Sequence, residues 1–137
     1  TASGIEKGRQ LADLHRTGVD FCQADLLGYR PETTFDIVFS SGVLQYLPKP
    51  ERRRVLEGYK AHTAVGGIHV LNVFVDKPFL PVPPDWEERE YFWSSGELLT
   101  CYADWKVERL EERIFDCASS GVPHRHCMDV LIARKMV

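Results

Sequence analysis

The chain has 137 residues, 44% of them apolar, and a formal net charge of −3. That is enough apolar side chain for one buried core, and the slight acidic excess argues against a broad basic surface for nucleic acid. The longest apolar run falls far short of the roughly 20 residues that a membrane helix needs. No basic-then-apolar leader opens the chain, and four cysteines without a CxxC pair read as reduced thiols of the cytoplasm.

Ser3 and Glu6 have capping-box spacing, and Ile5, Leu11, Ala12 and Leu14 follow at roughly helical intervals up to a natural C-cap at Gly18. Val19 to Ala24 reads as a strand ending at Asp25. Phe35 to Ser40 reads as a buried strand that breaks into the small residues Ser40, Ser41 and Gly42, low enough for a ligand to approach. Pro48 and Pro50 open a helix with Val55, Leu56 and Tyr59 on one face, while Arg52, Arg53 and Arg54 read as its solvated side. Gly66-Gly67 turns the chain into a third strand, Ile68 to Val75.

The stretch from Asp76 to Trp93 holds four prolines with Phe79, Trp86, Tyr91 and Phe92 between them, a composition that favours a packed lid. Ser94 and Glu97 repeat the capping-box spacing before a short helix. Trp105 to Phe115 and Cys127 to Ala133 then read as two final strands, joined by Asp116 to His126. This order predicts an α/β fold with a mostly parallel sheet finished by an antiparallel pair. Parallel neighbours need a crossover of about a dozen residues or more. The link from Leu26 to Thr34 is too short for one, so the strands on either side of it are predicted not to be neighbours, leaving room for strands this chain does not supply.

Together, the Phe35–Leu47 segment and the Gly66-Gly67 turn with its following strand resemble the middle of a class I S-adenosylmethionine-dependent methyltransferase. The finer likeness is to the TehB-like, tellurite-resistance family. It is carried by Ser40-Ser41-Gly42-Val43-Leu44-Gln45-Tyr46-Leu47, Thr63-Ala64-Val65-Gly66-Gly67, Asp76-Lys77-Pro78-Phe79, Ser95-Gly96-Glu97-Leu98, Tyr102-Ala103-Asp104-Trp105 and Ile132-Ala133-Arg134-Lys135. The resemblance implies a Rossmann-like methyltransferase fold with strand order 3-2-1-4-5-7-6, of which the first two strands and the glycine-rich loop would lie before Thr1. Residues 1–137 would then be the C-terminal portion of a single methyltransferase domain.

The same likeness implies S-adenosylmethionine as cofactor, with Asp25 at the adenine amino group and Ser40, Ser41 and Gly42 against the cofactor. For Asp25 the competing reading is an Asp that caps the following loop. By the same likeness Tyr46 sits where an aromatic side chain or a His often faces the substrate, and half-buried packing is its alternative. His124, Arg125 and His126 are candidates to hold a small molecule or an oxyanion such as tellurite or selenite, with a structural role in the loop as their alternative. In an extended segment His124 and His126 point one way and Arg125 the other. His124, His126, Cys127 and Cys117 carry zinc-ligand atoms, but their spacing fits no standard zinc pattern and no metal is expected.

The family's His-Arg pair and further arginines around the last hairpin are replaced here by Pro123-His124-Arg125-His126-Cys127, which opens the question of acceptor. Two function classes follow: a methyltransferase, or a Rossmann-like remnant acting as a non-catalytic binding or structural module. An open strand edge further predicts association with a second copy.

Overall fold

In the computed structural model, which describes residues 1–88 and 90–137, the first helix, α1, spans Ala2–Leu14. Thr1, rather than Ser3, is its N-cap: Thr1 Oγ1 accepts from Gly4 N at 3.2 Å. The helix also ends early, with His15 as C-cap and Arg16 in the left-handed region (φ 52°), so Gly18 caps nothing. Only Ala12 of α1 is buried.

The strand predicted over Val19–Ala24 does not form. A strand needs a partner for its backbone N–H and C=O groups, and no strand of the sheet lies beside this segment. Its Phe21 ring instead lies over Gly8 of α1, where a Cβ would come within 2.6 Å of the ring.

Strand β1 (Phe35–Ser40), helix α2 (Lys49–Ala61) and strand β2 (Thr63–Phe74) form a parallel pair with a helical crossover. Pro48, just before α2, has no N–H to leave unpaired at the helix start. β2 begins before the paired glycines, not after them. Phe35 is paired with Thr63 but Ile37 with Ile68, so the glycines occupy an irregularity inside the strand. The two glycines are needed for different reasons. Gly66 adopts φ 84°, whereas a Cβ on Gly67 would meet Asp36 O and Ala64 O at 2.9 Å.

After the loop 75–96, which includes Arg89 outside the described residues, comes the short helix α3 (Glu97–Thr100). One half of the predicted capping box forms there: Glu97 Oε2 accepts from Ser94 N at 3.0 Å. Strands β3 (Lys106–Cys117) and β4 (His124–Arg134) are an antiparallel hairpin. Its turn is shorter than predicted, so His124, Arg125 and His126 lie in β4 rather than in a loop. β4 inserts between β2 and β3, giving the sheet order β1-β2-β4-β3. That is the order of the last four strands in the expected topology, with one parallel and two antiparallel pairings.

Val55 and Leu56 of α2 pack with Leu71 and Val73 of β2, Leu131 and Ala133 of β4, and Trp93, Leu98, Tyr102 and Trp105 in one core. Arg52 belongs to this buried face, and its reading as a solvated residue is overturned. The 52/55/56 spacing puts it on the same helical stripe, and its guanidinium is 4.2 Å over the Trp93 ring. It donates to Leu47 O (3.1 Å), Phe92 O (2.9 Å) and Glu97 Oε1 (2.9 Å). One side chain thus ties α2 to the end of the loop and to α3.

Behind α2 lies a fully buried relay. Thr63 Oγ1 donates to Tyr59 O at 2.8 Å, so it accepts from His69 Nε2 at 2.8 Å, and His69 Nδ1 accepts from Tyr102 Oη at 2.6 Å. Each polar atom has its partner, and the imidazole is neutral: burial pushes the His69 pKa down to about 4. At the other side of the sheet β1 is an edge strand, and its reading as a buried strand is overturned: paired on one side only, it leaves Phe35, Ile37 and Phe39 exposed.

Candidate functional site

The carboxyl end of β1 is where an open α/β sheet presents a ligand, and its shape there is set by Asn72 on β2. Ser41 Oγ accepts from Asn72 Nδ2 at 2.9 Å, and Asn72 Oδ1 accepts from Gly42 N at 3.0 Å. This two-point clamp holds the Ser41–Gly42 turn, and Gly42 takes φ 64° with open space where a Cβ would stand. Gly42 is therefore required by backbone conformation and not by crowding. The signal for Asn72 was readable as a lone polar residue in the apolar run Val70-Leu71-Asn72-Val73-Phe74.

Cavities lie on either side of this turn. One, of about 370 Å³, is apolar, lined by Leu26, Val38, Ser40, Ser41, Leu44, Tyr59 and Leu71. The Ser40 hydroxyl is buried without a hydrogen-bond partner. The other, of about 300 Å³, is lined by Gly42, Gln45, Phe74, Trp86, Phe115 and His126, with Asp85 and Glu90. Its aromatic wall is ordered: Trp86 stacks on Phe92 with centroids 3.7 Å apart and meets Phe74 edge-on at 5.7 Å. The predicted packing of the loop is thus met by Trp86 and Phe92, while Phe79 and Tyr91 stay exposed.

The sequence-derived site residues are partly brought together. Ser40 and Ser41 line the first cavity and Gly42 the second. Asp25 stands beside Leu26 of the first cavity, and its Oδ1 accepts from Leu27 N at 2.9 Å, capping the following turn. Tyr46 is 44% exposed, with its pKa raised by partial burial and by the Glu90 carboxylate. Gln45 links this segment to the loop, as Gln45 Nε2 donates to Gly42 O (2.9 Å) and Gln45 O accepts from Tyr91 N (2.7 Å).

On β4, His124 and His126 project from the same face, and Arg125 is exposed on the other. His124 Nε2 lies 2.9 Å from His126 Nε2 and 3.1 Å from Asp85 Oδ1. Cys117, the register partner of His124 on β3, projects beside them. Cys127 lies on the opposite face, within the core. Burial lowers the His126 pKa. The Ser119 hydroxyl, donating to the Asp85 carboxylate, lowers that of Asp85 together with the neighbouring imidazoles. No sequence spacing announces Asp85, because loop packing alone delivers it.

No family model matches the sequence, and no curated protein matches it. Solved structures do match, and they define the class of fold: that of the S-adenosylmethionine-dependent methyltransferases. TehB from Haemophilus influenzae aligns over 93% of this chain and 44% of its own, at 18% identity and a TM-score of 0.79. A SAM-dependent methyltransferase from Methanosarcina mazei aligns over 100% of this chain and 79% of its own, at 16% identity and TM-score 0.69. An O-methyltransferase family protein from Burkholderia thailandensis aligns over 96% and 40%, at 18% identity and TM-score 0.65. The chain thus spans less than half the length of TehB. Among the described residues no helix is long and apolar enough to cross a membrane.

Proposed function

We propose that the chain is the C-terminal portion of an S-adenosylmethionine-dependent methyltransferase domain that acts on a small molecule. The observation that carries this reading is the Asn72-clamped turn, with an apolar cavity on the Ser40–Ser41 side and an aromatic one on the Gly42 side. Methyl transfer is an in-line displacement that asks the protein mainly to align two molecules and exclude water, and positioning alone can supply roughly 7–11 kcal/mol. S-adenosylmethionine would supply the electrophilic methyl group. Ser40, with its unpartnered buried hydroxyl, fits as a polar contact within an otherwise apolar cofactor wall. Asp25 would reach the adenine edge with the carboxylate oxygen not engaged at Leu27 N.

The second cavity would hold the acceptor, with Tyr46 at its margin and His124 acting through His126. Its Phe74, Trp86 and Phe115 rings favour a planar, apolar acceptor. The Asp85 and Glu90 carboxylates, where no cation neutralises them, repel a tellurite-like oxyanion. An anion held jointly by His124 and Arg125 would also have to reach both faces of β4.

The test is calorimetric binding of S-adenosylmethionine, with transfer of its labelled methyl group to aromatic hydroxyl and thiol acceptors beside selenite and tellurite. It is run in the natural polypeptide that carries this sequence. Transfer to an aromatic acceptor is expected, and Asn72→Ala, which frees the Ser41–Gly42 turn, should lower it about tenfold, equivalent to ~1.4 kcal/mol. No binding and no transfer would leave the non-catalytic module as the function.

A further inference from the structure

At the mouth of the β3–β4 hairpin four ligand atoms from three segments meet. Cys117 Sγ, one imidazole nitrogen each from His124 and His126, and a carboxylate oxygen of Asp85 all lie within 4.8 Å of one another. Strand geometry accounts for three of them. His124 and His126 are two apart on β4, so they share a face. Cys117 is the direct cross-strand partner of His124, and Phe115 is that of His126. Asp85 arrives from the loop, and the Ser119 hydroxyl in the hairpin turn donates to its second oxygen.

Hydrogen bonding among the described residues satisfies this group only in part: Cys117 Sγ pairs with Ser119 Oγ at 3.2 Å and His124 Nε2 with His126 Nε2 at 2.9 Å, while Asp85 Oδ1 and His126 Nδ1 are left over. Val122 O can only accept, so His124 Nδ1, 2.7 Å away, carries the proton. In the neutral imidazole this leaves a lone pair on His124 Nε2, aimed at Asp85 and His126. Asp85 Oδ1 is buried and has no hydrogen-bond partner, although His124 Nε2 and His126 Nε2 stand 3.1 and 3.8 Å from it. His126, 7% exposed, has its Nδ1 buried without a partner as well. A carboxylate oxygen buried without a donor, with two imidazole nitrogens and a thiol beside it in a half-buried cluster, is stabilised by a cation among them.

We propose that Asp85, Cys117, His124 and His126 bind a divalent transition-metal ion, zinc by its ligand chemistry, and that the ion fastens the loop to the β3–β4 hairpin. Two imidazoles, a thiolate and a carboxylate are the N, S and O donors zinc takes in tetrahedral sites. Bonds of roughly 2.0–2.3 Å set neighbouring donors about 3.3–3.8 Å apart in a tetrahedron, so side-chain adjustments of about 1 Å complete the shell. Outer contacts that orient the ligands are already in place: Val122 O on His124 Nδ1, and Ser119 on Asp85. The site shares Asp85, Cys117 and His126 with the wall of the second cavity, yet zinc binding is read without cofactor or acceptor, so its failure and that of the methyl-transfer reading are distinguishable.

Zinc binding is measured on the untagged chain, stripped with a chelator, by metal analysis after dialysis and by competition with a chromophoric chelator. One ion per chain is expected. With cobalt in place of zinc, a thiolate-to-metal charge-transfer band should appear, and Cys117→Ser should abolish it. Cys117→Ser and His124→Ala should each weaken zinc by more than the roughly 10–100-fold that loss of an outer-shell partner brings. Cys22→Ser should leave binding unchanged. Circular dichroism of the metal-free variants separates loss of binding from loss of fold. Amide exchange at Asp85 and Trp86 should slow on adding zinc. An absence of stoichiometric zinc, or binding indifferent to the Cys117 and His124 substitutions, would overturn the site. Binding that leaves exchange in the loop unchanged would overturn the clamp.

Discussion

Single side chains in this protein hold more structure than their positions in the sequence advertise. Arg52 makes its contacts through a planar fork that Lys cannot reproduce. Arg52→Ala would leave Glu97 and the Leu47 and Phe92 carbonyls without their donor. It should lower unfolding free energy by about 3 kcal/mol, the size expected for breaking a buried pair, and Arg52→Lys should recover little of it. Urea midpoints within experimental error of wild type for both variants would remove the clasp from the stabilising contacts. His69 gives a pH signature. Its folded pKa of about 4 is below the unfolded 6.5, so between those values the unfolded chain binds more protons. The His69 contribution is therefore fully present above pH ~6.5 and is lost as pH falls to ~4, a change of about 3 kcal/mol at 1.36 kcal/mol per unit. His69→Asn should flatten that part of the stability profile, and an unchanged slope would show that other groups produce it.

At the scale of elements, the open edge of β1 is the exposed liability. Its backbone is paired on one side only, by β2, and Ile37 and Phe39 are 62% and 70% exposed. A strand of that kind is a template for another copy, so residues 1–137 taken alone should sediment as more than a monomer at tens of micromolar. Phe39→Lys should shift it toward monomer, and a wild type that stays monomeric would dismiss the edge as an interface. Elements with a local pattern were legible beforehand: α2 from its prolines and the 55/56/59 stripe, β1 from its β-branched and aromatic run. The Val19–Ala24 segment has a strand's composition and no neighbour to complete it, which shows how far pairing, a non-local property, outweighs propensity. Gly66-Gly67 misled for a related reason. Paired glycines mark a turn or a bulge equally well, and the register of β1 against β2 decides between them.

The class of fold was legible from the order of strands and helices and the Ser40-Ser41-Gly42 break, which are chain-local signals, whereas the sheet order came only through the family resemblance. The candidate site was legible only where its residues are adjacent in sequence. Asn72, Arg52 and Asp85 reach their places through contacts 30 or more residues away, to Gly42, Phe92 and Ser119 respectively. The sheet order has a further consequence for a polypeptide made from one end. β2 leaves the ribosome with β1 as its sole possible neighbour, and its other ladder partner is β4. Residues 75–123 must be added before the first residue of β4 exists, and the ladder is complete only after Arg134. During that interval one whole side of β2, with Leu71 and Val73 lacking much of their core, is open to water and to other nascent chains. The order of translation thus leaves β2 half-paired until β4 has been made.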